Sequence, residues 1–185
     1  MKLNRALEVV DALSGARQIL VTGPQRAGTH IVTAMLAAKF GLRYIEEAEV
    51  NSDGWNSMRR ALGVKNVAIQ CPAFAHKIHH VAAAPHRAIV WVNRERSAVM
   101  RSQDRIGWSK NIEQLEITVY ENTWGPALKG ERAYDIKNRI WSTRQKMRVN
   151  MPVYEIDFES EFVQQHEMFV KKKDRTGFRH NQIAL

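Results

Sequence analysis

The chain has 185 residues and a formal net charge of +9, from 28 basic against 19 acidic side chains. No apolar run approaches the roughly 20 residues needed to cross a bilayer, and the lone cysteine, Cys71, excludes an intrachain disulfide and a thiolate metal cluster. Hydrophobic residues at 44% and charged residues at 25% are ordinary for a soluble globule, and the length suits one domain over 1–185.

The N-terminus shows no signal-peptide h-region, so a reducing cytoplasm is the expected compartment and no membrane partner is expected. The positive charge asks for an anionic partner. Nucleic acid is the commonplace answer, but the basic residues are spread along the chain. No RNA-recognition signature, zinc spacing or helix-turn-helix pattern goes with them. A basic nucleotide pocket explains the excess about as well.

In chain order, residues 3–14 read as an amphipathic helix with Leu3, Leu7, Val10 and Leu13 on one face, closed by Ser14-Gly15. The apolar run Ile19–Thr22 has the length and β-branched content of a buried parallel strand. A turn, Gly23-Pro24-Gln25-Arg26-Ala27-Gly28, follows, and then a helix from Thr29 to Phe40. Strand, glycine-framed turn and helix start make an anion site: the first helical N–H groups lack partners, and the dipole is positive at that end. Gly23, Arg26, Ala27, Gly28, Thr29 and His30 are the candidate binding residues, and phosphate is the default ligand.

The wording of the turn narrows the ligand. A nucleoside-triphosphate loop reads GxxxxGK[ST], its lysine on the β/γ-phosphates and its hydroxyl on magnesium. Gly23 and Gly28 keep the spacing, but Thr29 and His30 stand where the lysine and the hydroxyl belong. The cation has moved inside, to Arg26, which suits an anion met by arginine and backbone amides without a metal.

Arg43–Ile45 is a second strand, with Glu46, Glu47 and Glu49 at its C-terminal end, where the strands of an open α/β sheet rim the ligand crevice. Glu47 there is either a general base for an acceptor hydroxyl or part of a solvated acidic loop. Trp55–Leu62 suits a short helix and Val67–Gln70 a third strand, ending at Cys71-Pro72. His76, His79 and His80 follow on a helix, read as surface or pocket-rim side chains. Ala88–Val92 is the clearest strand after the first, and the helix beyond it runs to about Ile106. Arg94 at the strand end and Ser102 about two helical turns on are placed to converge on one phosphate. Helical patterns follow at 111–122 and 130–148, then a last strand at Val153–Ile156, a short helix to about Phe162, and a basic tail from Lys171.

The turn GPQRAGTH resembles the 5′-phosphosulfate-binding loop of the sulfotransferases, with Arg26 at the family's lysine and Gly28 and Thr29 matching directly. The pair Arg94 and Ser102 resembles that family's 3′-phosphate motif. Arg175 and Gly177 loosely match the late basic loop that folds over the same phosphate. Glu47 stands near the glutamate of the Golgi-type enzymes, whereas Gln70 falls where the cytosolic enzymes keep a catalytic histidine. The resemblance implies a three-layer P-loop-type α/β domain with a mostly parallel sheet. It further implies a sulfotransferase that uses 3′-phosphoadenosine 5′-phosphosulfate, an acceptor hydroxyl or amine, Arg26 and Glu47 as catalytic groups, and no metal. A P-loop nucleotide kinase and a non-catalytic nucleotide-binding protein of the same fold are the alternatives.

Overall fold

The computed structural model describes residues 5–106, Asp135, Asn138 and 150–159. The helical patterns at 111–122 and 130–148 fall almost wholly outside them, as do Arg175, Gly177 and the rest of the basic tail. The described elements are helices α1 (Arg5–Ala12), α2 (Thr29–Phe40), α3 (Glu47–Asn51), α4 (Gly54–Leu62) and α5 (Arg96–Asp104), with a 3₁₀ helix at Pro72–His80. The strands are β1 (Gln18–Thr22), β2 (Arg43–Ile45), β3 (Val67–Gln70), β4 (Arg87–Asn93) and β5 (Val153–Asp157).

Among the described residues the strands form one sheet in the order β2-β3-β1-β4-β5, and every pairing is parallel. Successive side chains alternate across it, so each strand feeds two cores. Leu20, Ile45, Ile69, Ile89 and Trp91 pack with Val50 of α3, Met58 of α4 and Phe74 of the 3₁₀ helix. Ile19, Val21, Val90, Val92 and Ile156 pack on the other face with Val9 of α1 and with Val32 and Leu36 of α2. This double burial is why the strands read as continuous apolar runs, and it makes the three α/β layers expected. No described helix is long and apolar enough to cross a membrane.

Parallel pairing brings the C-terminal ends of all five strands to one edge. At the opposite edge the buried polar groups satisfy one another: Arg87 donates to the side chain of Gln18 and to the carbonyls of Ala82 and Leu62. That network explains why β4 begins at a charged residue, one position before the apolar run. Two expectations need correction. Glu47 opens a separate short helix, α3, because β2 stops at Ile45. His76 is buried at 3% exposure within the 3₁₀ helix, so it is not a surface side chain.

Candidate functional site

The turn after β1 is held from below before any ligand is considered. The Thr22 hydroxyl donates to the Cys71 carbonyl at 3.1 Å, and the Cys71 N–H donates to Val21 at 2.9 Å, joining the ends of β1 and β3. Burial, with a smaller push from Glu47, raises the Cys71 thiol well above its ordinary value. At Gly23, φ is +145°, and a Cβ would stand 2.5 Å from the Val92 carbonyl oxygen, so the chain crosses β4 too closely for a side chain. Gly28 precedes α2 at φ +98° with no side-chain cap, which leaves the first amides of the helix to other acceptors.

Arg26 is itself left-handed, at φ 70°. Its conformation is fixed from two later elements. The Arg26 Nε donates to Ser102 Oγ of α5 at 3.1 Å, and an Arg94 Nη donates to the Arg26 carbonyl at 2.9 Å. Gln103 adds a bond to the Gln25 carbonyl at 3.4 Å. Arg94 is also paired through Nε with Glu159 Oε1 at 2.6 Å, its guanidinium lying 5.1 Å from the centre of the Phe158 ring. Phe158 fills the space where a Cβ on Gly28 would go.

The facing wall is polar and partly acidic. Gln25 donates to Glu47 Oε1 at 3.2 Å, tying the turn to α3. Tyr44, in the middle of β2, lies 2.8 Å from His30 Nδ1 and donates to Gln70 Oε1 at 2.6 Å. Gln70 reaches Thr29 Oγ1 at 3.5 Å. Burial, and then Glu46 and Glu47, push the Tyr44 phenol above its ordinary range. It stays protonated at any physiological pH.

Between these walls lies a cleft of about 710 Å³. Arg26 and Gly28 line it from the turn, Thr29 and His30 from α2, Arg94 from just beyond β4, Ser102 from α5 and Glu47 from α3. Gly23 and Ala27 are buried beneath it. The structure thus brings most of the sequence-derived candidates to one place, and there Arg94 and Ser102 both bond to Arg26 of the turn. Gln25, Tyr44 and Phe158 also line or brace the cleft and were missed. The rule that strand ends rim the crevice marks Tyr44, one residue from the end of β2. Gln70, read only as a lost base, is an ordered member of the polar wall.

No family model matches the chain, and no curated protein matches it. Among solved structures, Bacillus subtilis YorR in complex with phosphorylated GDP is 13% identical over 84% of this chain and 95% of its own, with a TM-score of 0.46. Acinetobacter baumannii shikimate kinase, in complex with shikimate, is 12% identical over 88% and 96%, with a TM-score of 0.48. Deoxyadenosine kinase from M. mycoides, with dCMP and dCDP, is 13% identical over 84% and 97%, with a TM-score of 0.49. At these scores the likeness says nothing of substrate or reaction. The parallel α/β layout stands on the sheet itself.

Proposed function

We propose that this chain is a nucleotide-dependent transferase of the P-loop type, acting as a single domain, whose turn at 23–30 receives the anionic end of a nucleotide. The observation that supports it is the composition of the cleft: Arg26, Arg94 and the uncapped first turn of α2 on one side, Glu46 and Glu47 on the other. Cation and amide donors fixed before binding can stabilise charge on a transferring group with little reorganisation. The opposite wall offers proton acceptors to an acceptor hydroxyl or amine.

Phosphoryl transfer from a nucleoside triphosphate is the reading we favour. Its rival needs a second anion site apart from the turn, and Arg94 and Ser102, which would make it, both bond to Arg26 of the turn itself. Magnesium is held in such sites by one or two carboxylates together with the substrate's phosphates. Glu46 and Glu47 fit that need, although no described cluster of three or more ligating side chains is present. Bound there, the ion would neutralise charge between the phosphates.

Sulfuryl transfer from 3′-phosphoadenosine 5′-phosphosulfate is the second reading. Arg26 in place of a lysine, and His30 in place of a magnesium-binding hydroxyl, favour it. Calorimetry separates the two. The kinase reading expects magnesium with ATP or GTP to bind at least about tenfold more tightly than 5′-AMP, followed by transfer to a panel of nucleoside and small hydroxyl acceptors. If adenosine 3′,5′-bisphosphate binds tightly and triphosphates do not, the sulfuryl reading takes its place. Binding of either nucleotide without turnover would leave a non-catalytic binding protein.

A further inference from the structure

Arg26 is an exposed residue at φ 70°, in a turn whose other positive angles belong to Gly23 and Gly28. A left-handed backbone costs free energy for any residue with a Cβ, and it persists where the surroundings hold it. Here they hold the residue at both ends. An Arg94 Nη donates to the Arg26 carbonyl at 2.9 Å, and the Arg26 Nε donates to Ser102 Oγ at 3.1 Å. The Gln25 carbonyl, one residue earlier, accepts from Gln103, the neighbour of Ser102 on α5, at 3.4 Å. Ser102 is 5% exposed and lines the cleft, so its bond to Nε sets the Arg26 guanidinium against the cleft wall.

A guanidinium carries five N–H groups, one on Nε and two on each Nη. The Nε hydrogen of Arg26 goes to Ser102, and among the described residues nothing accepts from either Nη. A guanidinium can grip an anion through parallel bonds along the edge of Nε and one Nη, or along the edge of the two Nη. Ser102 closes the first edge and leaves the second whole. We infer that the two Nη of Arg26 take two oxygens of one tetrahedral phosphoryl group, the terminal one of a polyphosphate chain, and that Ser102 is a positioning residue acting through Arg26. The inference rests on the reading of the turn as the seat of a nucleotide's anionic end, and it names the group seated there. It also accounts for an arginine at a left-handed position. Lysine keeps the charge, but it has neither the planar fork nor a second nitrogen by which Ser102 could aim it.

Calorimetry of the full-length protein with inorganic tripolyphosphate, without magnesium, reads the fork independently of turnover. Arg26→Lys, which keeps the charge, should weaken binding roughly tenfold, on the scale of one charge-assisted hydrogen bond. Ser102→Ala should weaken it roughly three- to tenfold, and Ser102→Thr, which keeps the accepting oxygen, should restore most of the affinity. Because Ser102 acts only through Arg26, adding Ser102→Ala to Arg26→Ala should change the affinity by less than about twofold. Losses that multiply in that double variant overturn the positioning role, and native affinity in Arg26→Lys overturns the fork. The expected pattern in a protein that transfers no group from any nucleotide supports the fork and overturns the transferase reading alone. Failure of the native protein to bind tripolyphosphate overturns the fork and the anion seat together.

Discussion

Gly28 shows how a residue can be read correctly for one reason and held in place by another. Its position in the turn suggests a backbone that must approach a phosphate, yet in the structure its missing Cβ makes room for the Phe158 ring. At φ +98° any other residue is also strained. Gly28→Ala should therefore destabilise the protein by about 2 kcal/mol or more, combining left-handed strain of about 1–2 kcal/mol with overpacking of about 1–3 kcal/mol. Phe158→Ala in the same background should recover the overpacking part and leave the strain. Urea unfolding of the two single variants and the double variant measures the coupling. Strictly additive losses would mean that Phe158 does not press on this glycine.

Strands and the helix after the first turn were legible because each carries one dominant signal. Ile19–Thr22 and Ala88–Val92 are apolar runs with no competing pattern, and their bounds differ from the observed strands by one residue at most. α3 was not legible: Glu47–Asn51 is under two turns long and buries one side chain, Val50. Burial of His76 was hidden for another reason: every residue from Pro72 to Ile78 is buried, polar ones included, so no periodic face marks which side chains go inside. β5 was read as a strand, but nothing local tells that the residues just past it, Phe158 and Glu159, close on a turn more than a hundred residues earlier. The Glu159 carboxylate pairs with the Arg94 guanidinium, which under the proposed function would meet an incoming anion. Glu159→Gln should tighten binding of a nucleoside triphosphate by roughly two- to fivefold, on the scale of a partly exposed ion pair at 0.2–1 kcal/mol. The gain should shrink as salt is raised. Calorimetry at low and high salt tests it, and weaker binding in the variant would assign Glu159 to supporting Arg94 rather than competing for it.

At the scale of the molecule, the order β2-β3-β1-β4-β5 gathers the site from parts far apart in sequence. Arg26 meets Ser102 across 76 positions and Arg94 meets Glu159 across 65. Such pairings follow from topology, which a one-dimensional pattern does not carry, so the turn could be located in the sequence while its partners could only be guessed. A ligand bound at the turn would meet α2, Gln70 of β3, Ser102 of α5 and Arg94 just beyond β4 together. Binding there should stabilise the whole fold and not one loop. At a nucleotide concentration about 100 times Kd, linkage gives about 2.7 kcal/mol, and for a chain of this size that raises Tm by roughly 5–10 °C. The net charge of +9 offers a competing explanation, because any polyanion stabilises a basic protein to some extent. The two are separable by position. Arg26 lines the cleft, whereas Arg59 is exposed on α4 and does not. Arg26→Ala should remove most of the Tm gain given by magnesium with a nucleoside triphosphate, and Arg59→Ala should leave it within about 1 °C. Both variants lower the charge by one, so equal losses in the two would assign the effect to overall charge and withdraw the turn as the binding site.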